Sequence, residues 1–292
     1  MNLTHLVFDL YRYQILPIDR FDELPLAPGV STQETVPNKN RYFREALTGT
    51  KSYQYTTQRG TDRTAIFKID LESKNDLLLR IATNKTVVVE NEDLESIEVD
   101  DHPSVYVIVL DSEQIIAVQR RAKAFSSTAT AIRLIAEVVN DKLYQKELQA
   151  HFEPIRKAAD FWNLVKTYEN RIVQVRFDIV TPNMSDLSKV LSDDIKDFAK
   201  ATNAVRTTYD IESHHNAALK LDPKNEILNG LVEYSSMGGG SITVKVRYGS
   251  MKKTVSTKQG IQTAELENVE LEATGTLENI KSLLGHFTLG DD

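Results

Sequence analysis

An α+β fold, with a mixed and mainly antiparallel β-sheet packed with several amphipathic helices, is what the sequence predicts. Three observations lead there. Short β-branched runs follow one another between polar turns from residue 64 to residue 119. Helical periodicity appears only intermittently, so strand and helix do not alternate as in a doubly wound fold. No internal repeat or low-complexity segment suggests an array.

Taken in order, Leu3–Leu10 reads as a strand, which "YRYQILPI" continues as a second extended piece or a bend. Pro17, Pro25, Pro28 and Pro37, half of the eight prolines, then mark a loop. Residues 38–63 are basic and aromatic, with weak helix character at "RYFREAL". The runs "TAIFKIDL", "DLLLRIAT", "KTVVVE", "SVYVIVL" and "QIIAVQ" read as strands. Between the third and fourth lies "ENEDLESIEVDD", with seven carboxylates and no cation.

Ala131, Leu134, Ile135, Val138, Val139 and Leu143 then form one helical face, with Ser126 or Ser127 as the N-cap. Residues 144–168 mix strand and helix signals. "RIVQVRFDIVTPN" is a strand ending in a turn, and "MSDLSKVLSDDIKDFAKATN" an amphipathic helix. A shorter helix is expected near "ESHHNAALKL". The strands "SITVKVRY", "KKTVSTK" and "NVELEA" lead to a last helix, "LENIKSLLGHF", ended by Gly285. With 292 residues the chain suits two units, 1–160 and 161–292, or one compact body.

Composition bounds the function. A net charge of -7 means that any polyanion site is a local patch. The absence of cysteine excludes disulfides, thiolate zinc sites and cysteine nucleophiles, and fits a reducing compartment. "MNLTHLVFDLYRYQ" has no basic leader before a long apolar core, and no apolar run approaches the roughly 18 residues of a membrane span. A cytoplasmic protein without membrane contact is expected.

Three basic regions are candidate sites. In "AVQRRAKAFSS", Arg120, Arg121 and Lys123 precede a helix N-terminus, where unpaired N–H groups favour anions, and Phe125 could offer a stacking face. Alternatively the acidic strip neutralises these cations across a neighbouring strand or loop, and strand alternation sends Arg120 and Arg121 to opposite sides. In "NKNRYFREALTGTKSYQYTTQRGTDR", Lys39, Arg41, Arg44, Lys51, Arg59 and Arg63 interleave with Tyr42, Phe43, Tyr53 and Tyr55. Cations can track phosphates there while rings stack on bases, or the rings fold back on the sheet. In "KVRYGSMKKTVSTK", Lys245, Arg247, Lys252, Lys253 and Lys258 could enter a groove or protect an edge strand.

Enzyme signatures mostly fail. Gly238–Gly240 is not followed by Gly-Lys-Ser/Thr and reads as a flexible turn or a close backbone approach. No G-x-S-x-G elbow occurs, and His214 and His215 lack the partners of a metal site. A metal-dependent nuclease would use carboxylates such as Asp9, Asp111 and Asp178. Yet Gln119 and Arg121 stand where an acid and a lysine would be needed.

"VFDLYRY", "AVQRRAKAFS" and "VRFDIVTPN" ahead of a helix together resemble a loose group of uncharacterised bacterial proteins associated with anti-phage defence neighbourhoods. The resemblance covers most of the chain and implies an accessory role in defence, with no catalytic residue or cofactor attached. The expectation is a non-enzymatic recognition protein that binds nucleic acid or a partner protein through its basic patches. The alternatives are a phosphodiester enzyme and an oligomerisation subunit whose acidic strip and basic patches pair between copies.

Overall fold

The computed structural model describes residues 5–18, 38–57, 60–181, 191, 193–202, 204–215, 217–248, 251–256 and 261–267. The fold is α+β, with mainly antiparallel sheets and five α-helices among the described residues. Contacts divide the chain into two compact units made of non-consecutive segments. Unit 1 comprises Met1–Asp9, Ile15–Ala150 and Thr263–Asp292; unit 2 comprises Leu10–Gln14 and His151–Gln262.

The strands are β1 (His5–Pro17), β2 (Ser52–Thr56), β3 (Asp62–Glu72), β4 (Asp76–Thr83), β5 (Lys85–Glu90), β6 (Ser96–Asp101), β7 (Ser104–Leu110), β8 (Ile115–Gln119), β9 (Leu148–Pro154), β10 (Ile172–Val180), β11 (Arg206–Glu212), β12 (Gly240–Tyr248), β13 (Met251–Ser256) and β14 (Thr263–Glu267). The helices are α1 (Lys39–Thr48), α2 (Thr128–Leu143), α3 (Ala158–Thr167), α4 (Asp193–Ala201) and α5 (Glu226–Tyr234).

In unit 1 the main sheet has the order β14-β1-β8-β7-β4-β3-β2. Its central strands carry almost unbroken apolar runs because they are buried on both faces: all five residues of β8 and Val107–Leu110 of β7 are buried. Helix α2 buries the expected face of Ala131, Leu134, Ile135, Val138, Val139 and Leu143. Lys142 joins it to α1 by donating to the Ala46 carbonyl (3.2 Å) and the Thr50 hydroxyl (2.9 Å).

The acidic strip is a turn only in its first half. Its second half is β6, which pairs with β5 from Lys85↔Asp101 to Glu90↔Ser96 as a separate two-stranded arm. Glu98 and Asp100, at alternate positions, are tolerated because that face of the ribbon is exposed. "YRYQILPI" likewise does not form a second piece: β1 runs unbroken for 13 residues.

Unit 2 holds the sheet β11-β10-β12-β13 and a core that includes Phe161, Phe177, Tyr234, Val244 and Val246. The expected helix at residues 212–221 is absent from the described residues of that segment. The helix forms instead at α5, where the Asn225 side chain accepts the Leu228 N–H at 3.0 Å and caps the first turn. The triple glycine is a close approach. A Cβ on Gly240 would overlap the Asp178 carbonyl, and one on Gly239 would overlap the Tyr234 ring. "NVELEA" beyond Glu267, and the last helix with Gly285, lie outside the described residues.

Candidate binding site at one end of the main sheet

Strand register brings two distant basic segments to the same end of the unit 1 sheet. Thr56 pairs with Asp62 at the end of β2 and start of β3, and Ala65 with Thr83 at the end of β4. Ala82 pairs with Ser104, and Val107 with Val118, so β8 also ends here. Arg63, Lys85, Arg120 and Arg121 therefore share one rim, and Lys123 follows directly.

Each cation has its own environment. Arg120 donates to Asp9 Oδ1 at 2.6 Å, and Thr128 donates to Oδ2 of the same buried carboxylate at 2.6 Å. Arg121 turns the other way, to the Ser104 carbonyl at 2.8 Å. Lys123 pairs with Asp101 at 3.1 Å, the acid at the root of the arm. Part of the cationic stretch is thus neutralised within the unit. Phe125 is only 5% exposed, so its ring packs in the core rather than presenting a stacking face. Ser127 occupies the N-cap position of α2 without a capping bond from its side chain; its hydroxyl lies 3.2 Å from that of Thr130.

Arg63, Lys85 and Arg121 make no ion pair with any described residue. Lys85 sits where burial lowers its pKa, and the positive charges of Arg63 and Lys123 lower it further, against the opposing effect of Asp101. Crowding of like charge at one point is what an incoming anion relieves.

Beside this trio lies an open polar groove of about 570 Å³ lined by Tyr53, Gln54, Tyr55, Thr56, Asp62, Arg63, Thr64, Asn84 and Glu137. Tyr55 stands directly opposite Arg63, so both side chains project from one face, and Tyr53 lies two residues along on that face. The Tyr55 hydroxyl is fixed against that of Thr83 at 2.8 Å. Tyr53 is half-buried, and burial followed by the charges of Glu137 and Asp141 raises its pKa, so it stays a neutral phenol.

The remaining basic candidates lie elsewhere. Arg44 pairs with Asp111 and donates to the Ser73 carbonyl at 2.8 Å, which fixes α1 to the turns at the opposite end of the sheet. Asn40, next to Lys39, donates to the Asp111 carbonyl at 3.1 Å, and burial lowers the Lys39 pKa. Arg41 pairs loosely with Glu45 at 3.7 Å and lies over the Tyr42 ring. Phe43 is fully buried. Arg59 lies outside the described residues. Residues 39–63 accordingly separate into a structural helix and a groove-lining strand pair.

Of the carboxylates considered for metal chemistry, Asp9 and Asp111 each face an arginine, and Asp178, in unit 2, accepts from Thr208 at 2.8 Å. Among the described residues no three His, Asp or Glu side chains converge as metal ligands. No helix among them is long and apolar enough to cross a membrane.

Sequence patterns did not single out a polar cluster in unit 2. Glu153 accepts from Arg206 at 3.3 Å, and its pKa is raised, mainly by burial, against the pull of Arg206 and Arg156. His151 is lowered by burial and then by Arg206. These residues are scattered along the chain on β9, at residue 156 and on β11, and no spacing rule connects them.

The fold and rim define an α+β protein with a cation-edged polar groove. Comparison with protein-family models and with curated proteins gives no match.

Proposed function

We propose that this chain is a non-enzymatic recognition protein that binds single-stranded nucleic acid at the Arg63–Lys85–Arg121 rim and the adjoining groove. The observation that carries this reading is the convergence of these three cations, none in an ion pair with a described residue, beside Tyr53 in an open polar groove of about 570 Å³. Arg63 and Lys85 meet phosphates while Tyr53 offers a ring for stacking. The acidic arm rises from the same rim between Lys85 and Asp101. A rigid duplex lying across the rim would bring its phosphates against those carboxylates, whereas a flexible strand can follow the groove. An accessory place in bacterial anti-phage defence accords with this reading through the sequence resemblance.

Fluorescence anisotropy with labelled single- and double-stranded DNA and RNA, at low and high salt, tests it. Binding that weakens steeply with salt and drops in Arg63→Ala/Lys85→Ala supports the reading. Flat traces for every polymer, from protein whose fold is intact, overturn it.

A further inference from the structure

Two features outside that groove complement one another. The first is the β5–β6 arm. Register places Val87 opposite Val99 and Val89 opposite Ile97 on one face, with Glu98 and Asp100 on the other. Val89 is 41% exposed, Ile97 42% and Val99 42%. A lone two-stranded ribbon is marginally stable in water, so one with an open apolar face is suited to being covered. Its tip is pre-formed: the Asn91 side chain accepts the Asp93 N–H at 3.0 Å and the Glu95 N–H at 2.8 Å. This turn presents Leu94, 80% exposed and at φ 60°, between Glu92, Asp93 and Glu95. A branched aliphatic residue in the left-handed region is uncommon, and such strain concentrates where a side chain is being displayed.

The second feature is an open groove in unit 2 of about 480 Å³, lined by Asn170, Arg171, Arg247 and Tyr248. The Arg247 N–H donates to the Arg171 carbonyl at 2.8 Å, which holds the two arginines side by side. Neither pairs with a described carboxylate. Tyr248, 40% exposed, meets Tyr168 edge-on at 6.3 Å, and Met251 beside it is 72% exposed. Apolar surface flanked by two arginines is the counterpart of a leucine flanked by three carboxylates.

We propose that the arm tip of one copy docks into the Arg171–Arg247–Tyr248 groove of a second copy. Leu94 packs on the Tyr248 ring, and Glu92, Asp93 and Glu95 face Arg171 and Arg247. Charge complementarity selects this occupant: an acidic arm repels an identical arm, while Arg171 and Arg247, which pair with no described carboxylate, accept it. The contact joins different surfaces, so it either closes reciprocally as a dimer or propagates head to tail. It uses none of the rim cations and stands apart from nucleic-acid binding.

Light scattering of the full-length protein over a concentration series, at low and high salt, reads the association. Wild type is expected to exceed the mass of one chain at low salt and to dissociate as salt rises. Leu94→Ser/Asp93→Ser (arm-defective) and Arg171→Ala/Arg247→Ala (groove-defective) should each weaken association at least about tenfold. All four positions are surface-facing, and circular dichroism verifies folding. Mixing the two variants is the decisive step, because the first keeps an intact groove and the second an intact arm. The mixture should form a pair that stops at two chains. A wild type that stays monomeric at every concentration, association unaffected by either variant, or a mixture that fails to pair would each overturn the proposal.

Discussion

Arg120 and Asp9 form a salt bridge at 2.6 Å across β8 and β1, and the side chain of Asp9 is 7% exposed while that of Arg120 is 51% exposed. The cation that looked available for a ligand is thus the partner of a buried carboxylate, which also accepts the Thr128 hydroxyl in the first turn of α2. The pair fastens the first strand to the end of β8 and to the helix that follows it. Arg120→Ala leaves Asp9 buried with one donor and should cost about 2–3 kcal/mol, less than a fully buried pair because Arg120 is half in water. In a double-mutant cycle by urea unfolding, Asp9→Asn/Arg120→Ala should lose less than the two single changes added together.

Gly240→Ala should destabilise unit 2 by at least about 2 kcal/mol, since the new methyl group meets the Asp178 backbone and neither strand can yield without breaking the β10–β12 ladder. Thermal unfolding checks this. Ser241→Ala next to it, on the half-buried face, should change the midpoint little.

The Glu153 and His151 shifts act on stability in opposite directions. Glu153 has a raised folded-state pKa, so its favourable contribution is complete below its ordinary value of about 4.5 and is lost as pH rises through the folded value. His151 has a lowered one, so its contribution is present above its ordinary 6.5 and is lost as pH falls through the folded value. Glu153→Gln should therefore leave stability at pH 7 unchanged or higher, and reduce the decline between mildly acid and neutral pH. His151→Gln should reduce the loss on acidification. Chemical denaturation at several pH values resolves both.

Asn91→Ala removes the acceptor for two backbone N–H groups at the arm tip. Amide exchange in residues 85–101 should accelerate while the β4, β7 and β8 amides keep their protection, because the arm is a separate two-stranded sheet.

Tyr53→Ala should weaken single-stranded binding by about tenfold, the loss of one base stack, with an unchanged salt slope. Arg63→Ala should reduce the slope itself, because a phosphate contact and its released counterion disappear. Titrations over a range of salt distinguish the two effects.

Where local signals are strong, the sequence by itself determined the elements. β-branched runs gave β3, β4, β5, β7 and β8, and a helical stripe gave α2, because burial on a face imposes a period of 2 or 3.6 on the chain. Residue type also determined that Gly238–Gly240 permits a close approach. The sequence was silent where context overrides propensity. β6 is masked by its carboxylates, and α5 by the interior Gly230 and its nine-residue length. The fate of the cations was decided only by the tertiary structure. Arg44, Arg63 and Arg120 are the same residue type in similar basic runs, yet one meets Asp111, one a groove and one Asp9. Charge pairing depends on distances of a few ångströms between residues as many as 111 positions apart, and only strand order and register set those distances.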